Sequence, residues 1–469
     1  MRAKRVNQRG LDFSKSHLKI TRRYYAKYEA MSTVLDQVPE LLELIHRDVG
    51  KTLKTVNRDR CRRGRPFSYT SEHVLRILIC QIVEGGSLRE IVVRIDDSTF
   101  LRRFVRIDNG PMMDYTTLCN LKNAIGDDTW KAVNRRLAEH AVESELINGK
   151  KLRLDTTAVE TNIHHPTDSS LLWDVYRTLD RLIRQAREIV PETVGNGRLQ
   201  AKRAKRLQHK IARRSKNKGR STQQLRPLYS QLIGMVEDVS VWARSVGHRL
   251  AERGEFASVL EAVRAEAIIQ QIDHYVDLGQ RVVSQARRRV LEGERVPNEE
   301  KLFSIFEPHT ELLKRGKAGK DIEFGHMIQI AQVDGKFITD YEVFDKKPVE
   351  HGLIARVLSS HKKLFGEYPD TLAADKGYYE SMAAVERLEN KVDIASIAKK
   401  GRRTLRETER EHDPRFRLAQ RFRAGVEGTI SFLKRILRLA RCFNKGWEHY
   451  ASTVGQTIFA HNLIVLARC

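Results

Sequence analysis

The chain contains little cysteine and little proline, and both shortages exclude classes of protein. Its 469 residues include 11 prolines and five cysteines, without a Cys-x-x-Cys pair. A small disulfide-stapled scaffold is therefore excluded, and a reducing cytosol is the expected compartment. The sequence has no Pro-rich or Gly/Ser-rich linker and no internal repeat. Long apolar runs are missing too, since even residues 457–466 fall short of the roughly 18 that a membrane span needs.

Acidic residues are outnumbered by basic ones. The chain has 85 Lys and Arg against 60 Asp and Glu, which gives a formal net charge of +25. This balance favours a polyanionic partner, nucleic acid before a membrane surface, with a generally basic soluble protein as the alternative. The basic N-terminus lacks the apolar core of a secretory signal. We therefore expect a cytoplasmic, nucleoid-associated protein that binds DNA and no membrane.

The length of the chain predicts two or three domains. Residues 1–37 are basic with interspersed tyrosines, and they predict an arm that is ordered only by a partner or subunit. Residues 38–148 have helical periodicity and capping patterns such as Ser87-Leu-Arg-Glu90. This succession of short helices suits a helix-turn-helix-like DNA-binding domain whose recognition helix begins near Thr116 or Thr117. A plain helical bundle is the alternative.

The middle of the chain predicts one strand and then a long helical insertion. Residues 151–160 have the branched and apolar side chains of a strand, and residues 171–312 are helical. Inside the insertion, Arg198–Arg226 holds twelve Lys and Arg and no Asp or Glu. We predict that this stretch contacts the DNA backbone, the alternative being a solvated helix face. The residues assigned to that contact are Lys202, Arg203, Lys205, Arg206, Arg213 and Arg214.

Residues 313–469, together with 149–170, predict an α/β domain. Two strand-like runs, 328–333 and 336–344, flank Asp334-Gly335, which is a strong β-hairpin pattern. Helices and strands then alternate, with strands at 371–374 and 392–397, a basic loop and a long helix. This order predicts a mixed sheet covered by helices.

Three carboxylates are candidates for a catalytic site. Asp155 and Asp375 each follow a short apolar run at a predicted strand end, and Glu427 lies between Arg423 and Lys434 on the long helix. Arg423, Glu427 and Lys434 would share one face of this helix. Four residues advance about 40° beyond one full turn, and seven residues stop about 20° short of two full turns. Carboxylates at one sheet edge can hold Mg²⁺ or Mn²⁺, whereas the absence of clustered Cys and His argues against zinc.

The helix resembles that of the DDE transposases of bacterial insertion sequences, in the branch marked by Y-(2)-R-(3)-E-(6)-K. Arg423, Glu427 and Lys434 match three of these four positions, and Gln420 stands where the family has tyrosine.

Two further motifs extend the resemblance over nearly the whole chain. Asp375-Lys-Gly-Tyr378 is similar to the Ala-Asp-x-Gly-Tyr motif of this family, and Asp155-Thr-Thr-x-Val to its first strand. Residues 162–172 look most like the ISNCY-type group. Only 51 residues separate Asp375 from Glu427, against 219 between Asp155 and Asp375, so an insertion domain is expected after the first strand.

The resemblance implies a ribonuclease H-like core that cleaves and joins DNA at transposon ends. Asp155, Asp375 and Glu427 would hold two Mg²⁺ or Mn²⁺ ions, and a homodimer would bring the two ends together. DNA contacts are expected from Arg423, Lys434, Lys376, Tyr378, Lys399, Lys400, Arg402 and Arg403. Core packing is the alternative for Tyr378, and an ordinary i,i+4 helix pair is the alternative for Arg423 and Lys434.

Two other functions stay open at this point. Gln420 points to a catalytically inactive, transposase-derived DNA-binding protein. A metal-dependent DNA nuclease or resolvase on the same core is the other alternative.

Overall fold

The computed structural model describes residues 18–57, 69–195, 197–215, 222–253, 255–317 and 320–468. The chain divides into two compact units, residues 1–160 with 326–469, and residues 161–325. The first 17 residues of the predicted N-terminal arm lie outside the described part. Within that part, no helix is both long and apolar enough to cross a membrane.

Helices and strands alternate in blocks along the described chain. The helices are α1 (Lys19–Gln37), α2 (Glu40–Asn57), α3 (Ser71–Glu84), α4 (Leu88–Asp97), α5 (Thr99–Phe104), α6 (Tyr115–Ala124), α7 (Asp127–Glu143), α8 (Asp168–Ile189), α9 (Pro191–Val194), α10 (Ala201–Ser215), α11 (Arg226–Glu252), α12 (Val259–Ala286), α13 (Ile354–Phe365), α14 (Met382–Glu389), α15 (Leu405–His412), α16 (Pro414–Ser431) and α17 (Trp447–Leu466). The strands are β1 (Lys151–Thr161), β2 (Glu311–Lys317), β3 (Lys320–Val333), β4 (Ile338–Val343), β5 (Thr371–Ala374), β6 (Ile394–Ile397) and β7 (Arg441–Cys442).

A mixed sheet forms the centre of the first unit. Strand β3 pairs with β4 and with β1, β1 pairs with β5 and the short β7, and β5 pairs with β6. The β3–β4 pair is antiparallel, whereas β1–β5 and β5–β6 are parallel. The predicted hairpin is present at 334–336, where Gly335 has φ 73°. The structure therefore has the mixed α/β character that the alternation of elements predicts.

The N-terminal helices share one apolar core with this sheet. Helix α7 packs against α17 and β4. The residues predicted as a separate helical domain, 38–148, thus belong to the same compact unit as the strands. Helix α17 is buried nearly all round, which is why its sequence is apolar on every face.

The predicted N-terminal arm is replaced in part by a helix that belongs to the core. Residues 19–37 form α1, and Tyr28, Met31, Val34 and Leu35 on its inner face are buried. The tyrosines that stand among charges in the sequence pack on aromatic rings, with Tyr28 and Phe104 centroids 4.8 Å apart. Residues 19–37 of the predicted arm thus form a helix that packs on the core of the first unit.

The second unit contains a cluster of long helices with its own apolar core. Helices α8, α11 and α12 pack against one another, and α10 packs against α8 and α11. Strand β2 pairs antiparallel with the first part of β3, from Glu311 opposite Gly325 to Lys314 opposite Ile322. The helical insertion predicted at 171–312 lies inside this unit, residues 161–325.

Candidate active site

Two of the three predicted carboxylates lie side by side on the sheet. The parallel pairing of β1 and β5 aligns Leu154 with Ala374, so the next residues are Asp155, inside β1, and Asp375, just after β5. The strand end predicted at Asp155 was wrong, because β1 continues to Thr161. The Asp155 side chain is 15 % exposed and the Asp375 residue is exposed. Asp155 Oδ1 accepts a hydrogen bond of 2.7 Å from the amide of Thr156.

Arg423 lies between Asp155 and the third carboxylate. Its guanidinium nitrogens are 3.8 Å from Oδ2 of Asp155 and 3.3 Å from Oε1 of Glu427. The Glu427 side chain is 67 % exposed. In the protein alone, Arg423 thus forms an ordinary i,i+4 helix pair with Glu427, and this pair would compete with a phosphate for the guanidinium. The positive charge of Arg423 also compensates the negative charge of Asp155.

Helix α16 is fixed to the sheet by Arg153 of β1, a residue that sequence analysis overlooked. Its side chain is 5 % exposed and donates hydrogen bonds to Gln332 Oε1 at 2.8 Å and to the Phe422 carbonyl at 2.6 Å. The guanidinium also lies over the Phe422 ring, 4.6 Å from its centroid. Gln332 in turn donates to Thr429 Oγ1 at 2.8 Å. These contacts hold the segment that carries Arg423 and Glu427.

Lys434 does not continue the α-helical face of Arg423 and Glu427. Helix α16 ends at Ser431, and Phe432–Ile436 form a π-helical turn. A π turn winds more residues per turn than an α-helix, so the angular spacing expected from an ideal α-helix does not apply at Lys434. The prediction of one straight α-helical face was wrong for this residue.

The position that departs from the Y-R-E-K pattern has a structural role. The side-chain amide of Gln420 donates to the Ser396 carbonyl at 2.7 Å and to Ser396 Oγ at 3.0 Å. Ser396 is a fully buried residue of β6. Gln420 therefore ties α16 to the edge of the sheet.

Tyr378 lies in the core and does not face solvent. It is 2 % exposed, and its hydroxyl accepts a hydrogen bond of 3.2 Å from Gln329. Burial, followed by the charges of Glu350, Asp155 and Asp375, raises the pKa of the Tyr378 phenol far above its ordinary value. The expected contact of this ring with DNA is therefore corrected to core packing beneath the candidate site. Its neighbour Lys376 is exposed.

Glu350 is a fourth carboxylate at this place, and sequence analysis missed it. Its Oε1 accepts a hydrogen bond from the hydroxyl of Thr156, and its Oε2 lies against Gly377, where a Cβ would collide with it. Glu350 opens a short 3₁₀ turn, Glu350–Leu353, and stands outside every strand end. Nothing in the local sequence pattern distinguishes it from other surface acids.

The basic loop 399–406 is partly neutralised by α15. Lys399 Nζ lies 2.8 Å from Glu407, and Arg403 lies 2.7 Å from Glu411. The hydrogen bond from Lys399, followed by those from Thr404 and Tyr379, lowers the pKa of Glu407 to about 2. Lys400 and Arg402 are exposed. Of the four cations predicted to guide phosphate, two are thus engaged in ion pairs.

The six basic residues of the insertion that are assigned to DNA contact lie on one amphipathic helix of the second unit, α10. Ala204, Leu207 and Ile211 form the buried face of α10. The exposed residues of the predicted set are Lys202, Arg203, Lys205, Arg206 and Arg213, and Arg214 is half-buried.

The three predicted carboxylates do not form a metal-binding cluster in the described part of the chain. Over the described ranges, no group of three or more His, Cys, Asp and Glu side chains is arranged to hold a metal ion. The donor chemistry of Asp155, Asp375 and Glu427 nevertheless suits Mg²⁺ or Mn²⁺, since all donors are carboxylate oxygens.

The N-terminal helices are the part of the chain that resembles a known protein family. Residues 23–124 match the family model of a transposase domain (DUF772). The match supports a transposase. It runs from α1 to the end of α6 and does not include Asp155, Asp375 or Glu427. No curated protein and no solved structure matches the chain.

The region that matches the transposase-domain model, residues 23–124, contains the helix predicted to read DNA. Helix α6 begins at Tyr115 and is capped by Asp114, whose carboxylate accepts a 2.8 Å hydrogen bond from the amide of Thr116. Thr116 and Thr117 are exposed at this end of the helix. Arg89 of α4 donates to the Tyr115 hydroxyl at 2.8 Å. DNA contact by α6 stays a prediction.

Proposed function

We propose that the protein is a DDE-type DNA transposase that binds transposon terminal inverted repeats and catalyses metal-dependent strand cleavage and transfer. Asp155, Asp375 and Glu427 are the proposed catalytic and metal-binding residues. The resemblance to the ISNCY-type group of insertion-sequence transposases belongs to the same proposal.

The register of β1 and β5 is the observation that carries this proposal. Residues far apart in sequence, Asp155 and Asp375, follow directly opposed positions of two parallel strands. Strand β5 ends just before Asp375, and the carboxyl ends of parallel strands are where ligand sites of open α/β sheets are built. Strand β1 brings Asp155 to the same level and continues beyond it to Thr161. The third residue, Glu427, is linked to the first through the guanidinium of Arg423.

The order of the strands supports a ribonuclease H-like core. An antiparallel pair, β3 and β4, is joined through β1 to the parallel strands β5 and β6. Helix α16 packs on β5 and β6 and carries Glu427. In this order of elements Asp155 lies within β1, Asp375 directly follows β5, and Glu427 lies on the helix after the sheet.

Asp155 and Asp375, with Glu427, would hold the divalent ions, which supply activation of an attacking oxygen and stabilisation of the leaving oxygen in phosphodiester chemistry. In the protein alone Arg423 balances the charge of Asp155 and holds Glu427. Beside DNA the same guanidinium can bind a phosphate through paired hydrogen bonds. Arg153 and Gln420 position α16, the helix that carries Arg423 and Glu427.

DNA would be bound by the transposase domain, the exposed face of α10, and the cations around the sheet edge. The last group comprises Lys376, Lys400, Arg402 and Lys434, with Lys399 and Arg403 available only by exchange with their glutamates. A homodimer is expected because two transposon ends must be cut together.

A second candidate is an inactive, transposase-derived DNA-binding protein. The engagement of Glu427 with Arg423 and the absence of a three-carboxylate cluster among the described residues favour it.

The first prediction separates catalysis from DNA binding. Asp375→Asn removes one charge and one metal ligand from an exposed position, so we expect nicking of labelled transposon ends with Mg²⁺ to fall by at least about 10³-fold, as for loss of central catalytic groups. Retardation of the same DNA in a gel should be unchanged. Asp393→Asn, on an exposed residue before β6, is the matched control and should leave both unchanged.

The products distinguish the alternatives. If Asp375→Asn cut DNA at the wild-type rate, the assignment of Asp375 to the catalytic site would be contradicted. Cutting without any joined product would favour a nuclease or resolvase, and wild-type binding without cutting would favour the inactive protein.

A further inference from the structure

A cavity of about 510 Å³ in the first unit lies apart from the three carboxylates. It is lined by the turn between α3 and α4, by α6, by residues 437–444 and by α17. Its volume falls within the range of about 300–1,000 Å³ that is typical of small-molecule sites. The transposase domain thus forms one wall of this cavity, and the segment that follows the π turn forms another.

A buried ammonium group faces this cavity. Lys122 is 6 % exposed, and its Nζ has one hydrogen bond, 3.3 Å to the neutral amide oxygen of Gln81. Among the residues that the structure describes, no carboxylate lies within ion-pair distance of it. Burial lowers the pKa of Lys122 to about 8. A buried charge is costly unless it is paired, so this lysine lacks a counter-ion that a ligand could supply.

The other charged residues of the lining leave the cavity cationic. Arg438 packs over Gly85, at which a Cβ would collide with its guanidinium. Arg441 is compensated by Glu160 at 2.8 Å. The carboxylate of Glu90 accepts a 2.6 Å hydrogen bond from the Ser87 amide as part of a capping box. Glu90 keeps its negative charge, and this charge partly compensates that of Arg438. Lys122 is therefore the lining cation with the greatest need of an anion, and Arg438 could add to its binding by exchange with Glu90.

The remaining walls suit an aromatic group. Leu88, Leu437 and Leu439 line the cavity, and Phe443 lies in the lining although its side chain is 69 % exposed. A nucleic-acid base can stack on the exposed ring of Phe443 while the cations of the lining bind its phosphate. Base–aromatic stacking is worth about 1–3 kcal/mol.

We propose that this cavity binds one nucleotide of a DNA strand, with its phosphate at Lys122 and Arg438 and its base against Phe443. The DNA source of the nucleotide rests on the proposed function, whereas the chemistry of the cavity does not.

Calorimetric titration of the full chain tests the proposal with three probes. Thymidine 5′-monophosphate should bind, and thymidine, which lacks the phosphate, should bind at least about tenfold more weakly. Inorganic phosphate should also bind more weakly than the nucleotide, because it cannot use Phe443. Equal affinity for the nucleotide and thymidine would overturn the phosphate site, and equal affinity for the nucleotide and inorganic phosphate would overturn the base site.

Three variants assign the binding to residues. Lys122→Met keeps the length of the side chain and should lower the affinity for the nucleotide at least about tenfold. Phe443→Ala, at an exposed side chain, should lower the affinity for the nucleotide and leave the affinity for inorganic phosphate unchanged. Lys363→Met, on the exposed face of α13, is the control. Wild-type affinity of both test variants would overturn the proposal, and their thermal unfolding shows whether they are folded.

A competition experiment identifies the source. Single-stranded pentathymidylate should displace the mononucleotide from the wild-type protein, and failure to compete would overturn the link to DNA. These titrations need no cleavage, so an inactive Asp375 site would leave them unaffected and the two failures can be told apart.

Discussion

Gln420 shows how one side chain can depart from a family pattern and keep a defined role. At the residue scale, its amide makes two hydrogen bonds to Ser396 of β6. Ser396 Oγ donates in turn to the Phe416 carbonyl at 3.0 Å, so strand and helix are connected at two points of α16. The sequence comparison identifies Gln420 only as a mismatch, because hydrogen-bond partners distant in sequence leave no local pattern.

The second prediction concerns the stability that Gln420 provides. Gln420→Met keeps the side-chain length and removes both hydrogen bonds, and each is worth about 0.5–1.5 kcal/mol net. We expect the free energy of unfolding in urea to fall by about 1–2 kcal/mol. Arg421→Met, on the neighbouring exposed position, should stay within about 0.5 kcal/mol of wild type. Equal stability of the two variants would show that Gln420 does not fix the helix.

The third prediction is a pH dependence at Glu407. Because its pKa is lowered to about 2 in the folded protein, against an ordinary 4.5, its interactions stabilise the fold above about pH 4.5 and are lost as the pH falls towards 2. The stability difference between wild type and Glu407→Gln should therefore be largest near pH 6 and shrink below pH 4.5. Glu409→Gln, on the exposed side of α15, should show no such change, and a difference independent of pH would contradict the assignment.

At the scale of the element, α16 shows which parts of a site can be read from a sequence. The strand end before Asp375, the hairpin turn and the Arg423–Glu427 spacing all depend on local periodicity, and the structure has each of them. The strand that carries Asp155 is also present, but it continues to Thr161 and does not end at the aspartate. The π turn at Lys434 and the anchor at Arg153 depend on tertiary packing, which overrides local spacing. Glu350 was missed for the same reason, and the sequence alone could not decide between DNA contact and core packing for Tyr378.

The fourth prediction uses two glycines of α16. A Cβ at Gly425 would collide with Nη1 of Arg153, whereas one at Gly428 meets nothing within 4 Å. Gly428→Ala should therefore stabilise the protein by about 0.5–1 kcal/mol, the usual helix preference of alanine. Gly425→Ala should instead destabilise it by about 1–3 kcal/mol through overpacking.

Urea unfolding of the two alanine variants checks this comparison, since helix propensity is the same in both. If Gly425→Ala were as stabilising as Gly428→Ala, Arg153 would not be the contact that positions α16.

At the scale of the whole molecule, the excess of positive charge is distributed between the two units. The net charge of +25 predicts a polyanionic partner without saying where that partner binds. The folded chain pairs some cations, such as Lys399 and Arg403, and leaves the outer face of α10 exposed. Exposed clustered cations are the ones that can release counter-ions on binding DNA.

The fifth prediction tests whether α10 is a specific contact or only part of the total charge. Every cation that no longer binds a DNA phosphate should reduce the slope of log affinity against log salt by about 0.9. Lys205→Gln with Arg206→Gln should therefore lower the slope, measured by anisotropy with duplex DNA between about 50 and 200 mM salt, by up to about 1.8. Arg264→Gln with Arg281→Gln removes the same charge from exposed positions of α12 and should change it much less. Equal slopes for both pairs would mean that net charge alone governs binding, and an unchanged slope for the first pair would remove α10 from the interface.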